Sequence, residues 1–308
     1  MTAIIQDIVS IFFVLLLGFL AGKRNIFDQT QAAGFNKLVL DYCLPAVLFV
    51  SIVKSSREEL FADSRLFIAA FAVLIAWYFI ALIGARLVFK HDKQEAGLAG
   101  LSAGAPTVGF LGIAVLTPIF GGSAAMTVAI MALIVNVLLV PLGMFFVAPA
   151  GTKPTAALIK AIKEPVVLAP LIGFVLVLVG VRVPEAIDPP LSLIGHANSG
   201  VAVFAAGLVL SAHKFQISLE VIWNSIVKMV LMPASMLVVC LLLGVPDAHL
   251  EQMVLLAALP PAFTGIVMAG RFQTYINEAS STLIVCVLAF AAAAPGWIAI
   301  VRHVLAAG

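Results

Sequence analysis

The sequence predicts an all-α, polytopic membrane protein with ten transmembrane helices in two inverted five-helix repeats. Three observations lead to this prediction. The chain is 63% apolar and only 10% charged, whereas a soluble domain is about 25% charged. Apolar runs of about 20 residues, the length that crosses a bilayer, recur along the whole chain. Prolines interrupt two of these runs at matching positions in the two halves, at Pro106 and at Pro260-Pro261.

Ten apolar runs are predicted as membrane spans. Gly22-Lys23-Arg24 follows the first run without a small-residue cleavage site, so we expect that run to be retained as a span. The spans cover about residues 4–22, 30–53, 66–89, 95–120, 124–148, 164–181, 190–212, 217–243, 248–271 and 279–302.

The least apolar connector marks the boundary between the two halves. It divides the chain into a first five-helix repeat at 1–148, a cytoplasmic linker at 149–163 and a second five-helix repeat at 164–308. Within the linker, residues 156–163 are expected to form a short amphipathic helix at the membrane interface.

The positive charges predict the orientation. With ten spans, both termini lie on the same side of the membrane. Five Lys and Arg residues are expected on that side and eleven on the opposite side. Because positive residues concentrate in cytoplasmic loops, the side with eleven is predicted to be cytoplasmic. We therefore expect a multi-pass protein of the cell inner (plasma) membrane with both termini outside the cytoplasm.

An offset of 155 residues relates the two halves. It places Pro106 on Pro261 and brings Pro141 within one residue of Pro295. Because each unit has five spans, the second unit enters the membrane from the opposite side. Inverted repeats of this kind support alternating access, with binding sites at interrupted helices near the bilayer midplane.

The interrupting prolines are predicted to break spans four and nine near their middles. Each break leaves a new helix N-terminus, whose first amides lack partners and attract an anion. A simple proline kink, packed by neighbouring helices, is the alternative. The candidate substrate-binding residues are the two breaks and two polar residues of span seven: Pro106, Thr107, Val108, Gly109, Asn198, Ser199, Pro260, Pro261, Ala262 and Thr264.

Two ionisable residues within spans are candidates for proton or ion coupling. Asp41 lies near the middle of span two, and the 155-residue offset places it on His196. An intramembrane ionisable group is a functional candidate, and a structural partner role for Asp41 is an equal alternative. Lys228 in span eight either lies deep or extends its ammonium to the interface, and the second is favoured. Asn136 is expected to hydrogen-bond a neighbouring helix.

Several function classes lack their sequence signals. The three cysteines all fall within apolar runs, which argues against disulfides and against a metal site. The chain has no His-Glu-x-x-His zinc helix, no P-loop and no Gly-x-Ser-x-Gly elbow. We therefore expect no enzyme activity, no cofactor and no nucleic-acid partner.

Three parts of the chain resemble the auxin efflux carrier family, in its short bacterial branch. The run 104–110 is most similar to members assigned as malonate transporters, whereas Thr107 and Ala114 depart from residues common in the family, Asn and Pro. The three parts are Leu44-Pro45, the segment 112–121, and 257–260 followed by 268–272 and 280–282.

The resemblance implies ten spans in two inverted repeats, with broken crossover helices four and nine and a transport domain that moves against a scaffold. It also implies an organic-acid substrate. The sequence therefore predicts a secondary transporter that carries small carboxylates, with malonate as the best guess, across a lipid bilayer. A homodimer is one possible assembly. Two alternatives are a cation/proton antiporter in which Asp41 holds Na⁺ or H⁺, and a membrane receptor that transports nothing.

Overall fold

The computed structural model describes residues 2–54, 64–121, 124–148, 156, 159, 162–212 and 215–307. Within these residues the regular structure is helical, apart from one bridge between Pro106 and Pro261. The α-helices are α1 Thr2–Lys23, α2 Gln29–Leu38, α3 Leu44–Val53, α4 Ser64–Leu87, α5 Lys93–Gly104, α6 Ile113–Phe120, α7 Ala124–Ile134, α8 Val140–Phe146, α9 Pro165–Val179, α10 Asp188–Ala212, α11 Leu219–Ile226, α12 Met232–Leu242, α13 Asp247–Ala257, α14 Phe263–Phe272 and α15 Ile276–Ala307.

Six of the helical stretches in the described residues are long and apolar enough to cross a membrane. They are Thr30–Val50, Ser64–Leu87, Thr127–Phe146, Glu185–Ser211, Leu219–Leu242 and Ile276–Ala306. Three shorter apolar helices are Phe13–Lys23, Pro165–Val179 and Phe263–Phe272. The protein is thus a polytopic helical membrane protein. Most of the predicted linker at 149–163, with its expected interface helix, lies outside the described residues.

Several of the long helices contain prolines that do not end them. Proline lacks an N–H and clashes with the carbonyl four residues earlier, and a wider π-helical turn absorbs both effects. Pro233 leaves the Met229 carbonyl without its helical donor, and the Trp297 Nε1–H donates to that carbonyl at 2.8 Å. Such turns precede three prolines: Val39–Cys43 before Pro45, Val135–Leu139 before Pro141, and Val227–Leu231 before Pro233.

The π-helical turn at Val135–Leu139 also contains Asn136. Its side-chain amide donates to the Ala132 carbonyl of the same helix at 2.7 Å. The expected bond to a neighbouring helix is therefore wrong, because the distorted turn provides an acceptor closer at hand.

The helices pack in two groups. One group contains α1, α2, α3, α9 and α10. The other contains α4, α5, α7, α8, α11, α12, α13 and α15 around the larger apolar core. Helix α14 packs against both, since it contacts α2 and α10 on one side and α5 and α15 on the other.

Glycines let α1 and α10 approach backbone to backbone. A Cβ added to Gly18 would fall against the carbonyl oxygen of Phe204, and one added to Gly207 would fall against that of Leu15. Small residues at such contacts are the usual means of close helix packing in membranes.

This contact predicts a selective loss of stability. Gly18→Ala and Gly207→Ala should each lower the melting temperature, because overpacking typically costs about 1–3 kcal/mol. Gly200→Ala, on the same helix as Gly207 with no atom within 4 Å of the added Cβ, is the matched control. Thermal unfolding of purified protein in detergent, followed by tryptophan fluorescence, measures the difference. Equal melting temperatures for the three variants would contradict the proposed contact.

Candidate functional site

Two interrupted helices meet at the centre of the candidate site. Pro106 disfavours helical backbone at the preceding residue, and Ala105 is extended with φ −105° and ψ 114°. Helix α5 therefore ends at Gly104, and the chain resumes in a π-helical turn at Val108–Gly112 followed by α6. In the second half α13 ends at Ala257 and α14 begins at Phe263, with Pro260-Pro261 between them. The predicted interruptions at both proline sites are confirmed.

The two extended segments pair with each other. The Thr107 amide donates to the Pro260 carbonyl at 2.9 Å, and the Ala262 amide donates to the Ala105 carbonyl at 2.8 Å. This antiparallel pair is fully enclosed, since Thr107 is 1% exposed and Ala262 is 7% exposed. We call this feature, residues 105–107 with 260–262, the crossing.

The crossing uses part of the amide set that was expected to bind an anion. Besides Thr107 and Ala262, the Val108 amide is engaged, donating to the Pro106 carbonyl at 2.8 Å. In this conformation those three amides are not open to a ligand. Gly109 lies in the π-helical turn, and Thr264 lies in the first turn of α14, where amides have no intrahelical acceptor.

Buried side-chain oxygens without partners lie at two of the predicted positions. Thr107 Oγ1 and Asn198 Oδ1 are both buried and accept or donate no hydrogen bond. An unsatisfied buried polar group costs about 1–3 kcal/mol, so each of these oxygens is a candidate to hydrogen-bond a substrate. Thr264 is also buried, whereas the side chain of Ser199 lies outside the described part of the chain.

Sequence reasoning missed five more buried oxygens of the same kind in the described part of the chain. They are Asn36 Oδ1 on α2, Tyr78 Oη on α4, and Asn277 Oδ1, Ser280 Oγ and Thr282 Oγ1 on α15. Asn36 lies close to α14, because a Cβ added to Gly270 would come within 3.4 Å of Asn36 Nδ2. The signal that could have found them is a polar residue within an apolar run, the signal that singled out Asn198.

The two predicted coupling residues are not brought together. Asp41 is half-buried in the π-helical turn at Val39–Cys43, which packs against α9 and α10. His196 is exposed on α10, and among the described residues the two form no ion pair. Their role in coupling therefore stays a prediction.

Lys228 lies at the edge of the crossing. It is completely buried, and its Nζ donates to the Ala257 carbonyl at 2.8 Å and to Met232 Sδ at 3.2 Å. Ala257 is the last residue of α13, so the ammonium caps a helix C-terminus, where carbonyls lack donors and the helix dipole is negative. The favoured expectation that Lys228 extends to the interface is wrong. The Ala257 carbonyl lies 29 residues after Lys228 in the chain. It is free to accept this hydrogen bond only because α13 ends there.

A cluster of titratable side chains joins the start of α5 to α11. His91 contacts Glu95 Oε2 through Nδ1 at 2.8 Å and Glu220 Oε2 through Nε2 at 2.5 Å. The Tyr275 hydroxyl donates to Glu220 Oε1 at 2.6 Å and accepts from Asn224 Nδ2 at 3.0 Å. We call these five residues the His91 cluster.

The cluster shifts the protonation of its members. Burial alone would lower the pKa of His91, but the hydrogen bonds and negative charges of Glu220 and Glu95 outweigh it and raise that pKa. Burial and the Glu220 carboxylate raise the pKa of Tyr275 well above its ordinary value. The two glutamates therefore favour the protonated form of His91 more than water would.

The chain is similar to known transporters over nearly its whole length. A family model described as "Membrane transport protein" matches residues 3–298. A protein of Escherichia coli (strain K12) named "Uncharacterized transporter YfdV" is 46% identical over 312 residues, covering 99% of each chain. A protein of Rhizobium meliloti (strain 1021) named "Putative malonate transporter" is 24% identical over 306 residues, covering 94% of this chain and 93% of that protein. The chain therefore belongs to the membrane transport protein family, the family of the auxin efflux carriers.

Proposed function

We propose that the protein is a secondary active transporter of small organic anions, with carboxylates such as malonate as substrates, working by alternating access. The observation that carries the proposal is the crossing: two interrupted helices meet in the interior, and the buried hydroxyl of Thr107 within it lacks a partner. Interrupted helices in corresponding halves are typical of transporter binding sites.

The proposed architecture has ten spans in two inverted repeats, 1–148 and 164–308. The six long helices account for spans two, three, five, seven, eight and ten. Helices α1 and α9 supply spans one and six, and the interrupted pairs α5–α6 and α13–α14 supply spans four and nine. In the proposed orientation the eleven positive residues lie in the cytoplasm, as the positive-inside rule favours, and both termini lie outside it.

The charges around the crossing favour an anion over a cation. Helix N-termini at the start of α14 and of the turn before α6 are positive ends. The negative end of α13 is already occupied, because Lys228 Nζ donates to the Ala257 carbonyl. A Na⁺ ion bound there would have to displace that hydrogen bond, which disfavours the antiporter alternative. A carboxylate would instead meet positive helix ends and the hydroxyl and amide groups of Thr107, Asn198 and Thr264.

Transport assays separate the three functions. We expect protein reconstituted in lipid vesicles to take up radiolabelled malonate or a similar carboxylate, and to exchange it for unlabelled substrate. On a solid-supported membrane, a carboxylate jump should give a current and a Na⁺ jump should give none. Currents with Na⁺ alone would support the antiporter, and neither uptake nor exchange of any carboxylate would support a receptor.

The unpartnered oxygens predict variants that lose uptake without losing stability. Thr107→Val and Asn198→Leu should each reduce carboxylate uptake by about 10-fold or more, because a hydrogen bond to a charged group contributes about 1.5–3 kcal/mol. Their melting temperatures should stay level or rise, since each change removes a buried oxygen that has no partner. Thr30→Val, at an exposed threonine of α2, is the control. Uptake at the wild-type rate in both variants would exclude these side chains from the site.

A further inference from the structure

Buried polar residues follow one face of the Leu219–Leu242 helix. Glu220, Asn224 and Lys228 stand four residues apart, so they share one face over two turns. None is more than 5% exposed. This polar row begins in the His91 cluster and ends at the Ala257 carbonyl, three residues before the crossing.

A purely structural role does not account for the polar row. Burying an ionisable group is expensive unless it is paired, and intramembrane ionisable groups usually mark ion or proton pathways. Lys228 has no carboxylate partner among the described residues, and its acceptors are a carbonyl and a thioether. Besides capping α13, a lysine at this position carries a proton that an apolar side chain could not carry.

Among the described residues, few titratable or charged groups face the polar row. Around Lys228 the titratable neighbour is the Cys286 thiol of α15, which also interacts with Ser225. Around the His91 cluster, Arg86 Nη1 donates to the His91 carbonyl at 3.4 Å, and Glu278 adds negative charge near Tyr275. From Asn224 to Lys228 the helix rises about 6 Å, a single turn.

We propose that the polar row conducts protons between the His91 cluster and Lys228. We further propose that Lys228 couples carboxylate transport to the proton gradient. This inference rests on the proposed function. In the step away from the crossing, the Lys228 ammonium releases a proton to become a neutral amine. Glu220 accepts that proton and gives it to His91 Nε2, while His91 releases its Nδ1 proton through Glu95 to water. When the crossing is open to the opposite side of the membrane, the neutral amine takes up a new proton from water on that side.

The protonation state of Lys228 would set the affinity of the crossing for substrate. With the ammonium present, the region carries a full positive charge in a low-dielectric interior and attracts a carboxylate. With the neutral amine, the attraction weakens and the anion is released. The anion and one proton therefore cross together.

The charge on His91 can be tested through stability. Since its pKa is raised in the folded state, the stabilisation from protonated His91 is fully present below the unfolded pKa of about 6.5 and is lost as the pH rises through the folded pKa. His91→Gln should therefore lower the melting temperature more at about pH 5.5 than at about pH 9. His303→Gln, at an exposed histidine of α15, should show no such difference. An equal effect of His91→Gln at both pH values would show that this histidine is neutral in the cluster.

The coupling role is tested by comparing two modes of transport in vesicles. Wild-type protein should accumulate labelled malonate, or whichever carboxylate it takes up, when a pH gradient is imposed. In Lys228→Arg the positive charge is kept but cannot be released near neutral pH. We expect the ratio of gradient-driven accumulation to exchange to fall at least tenfold. Lys228→Met should also lose gradient-driven accumulation. This second variant is needed because an arginine side chain could be too large for the buried site, whereas methionine is apolar and fits an apolar environment.

Two comparisons keep the outcomes distinct. Lys37→Met, at an exposed lysine of α2, should leave the ratio at the wild-type value. Glu220→Gln should slow gradient-driven accumulation more than exchange, because it removes the proton acceptor but keeps the shape. A folded Lys228 variant that accumulates substrate with the wild-type ratio would overturn the inference. Wild-type protein that transports no carboxylate in either mode would overturn the proposed function instead.

Discussion

The structure depends on one constraint: inside a membrane, every backbone donor and acceptor needs a partner within the protein. The prolines at 106 and 260–261 end two helices in the interior and so create unpaired groups there. The two extended segments meet this need by pairing with each other, through the Thr107 and Ala262 amides. Neither segment could be extended at this depth alone. The helix ends, the buried lysine and the candidate site all follow from that mutual pairing.

Prolines elsewhere in the chain do not end their helices. Pro45, Pro141 and Pro233 each follow a π-helical turn, and the helix continues. At the crossing a partner segment is close enough to accept the hydrogen bonds, so the chain can leave the helix. The glycine at the end of α5 lets this helix pack closely on α4, because a Cβ on Gly104 would lie 2.7 Å from the backbone of Tyr78. The outcome of a proline in a membrane helix is therefore decided by what lies beside it.

This dependence on neighbours explains how far the sequence could predict the molecule. Helix breaks at Pro106 and Pro260-Pro261 could be predicted, because these prolines stand at matching positions in the two halves, where interruptions are typical of transporter sites. The contacts of Lys228 could not, because its acceptor is a carbonyl on another helix that becomes free only at a break. The His91 cluster was missed for a similar reason, since 129 residues separate His91 from Glu220. Asn136 was misjudged because the distorted turn supplies an acceptor that a regular helix would not.

The distribution of contacts fits the proposed alternating access. The crossing joins α5 to the segment after α13, and both helices belong to the larger group, so the two backbone hydrogen bonds would move as one unit. Between the groups, α14 packs on α10, and the Arg271 guanidinium at its end meets Glu164 at 3.1 Å. The Arg271 side chain is 41% exposed and the Glu164 side chain 12% exposed. A motion of one group against the other would have to rearrange this ion pair and the buried apolar cluster that both groups share, while the enclosed hydrogen bonds that define the site stay intact.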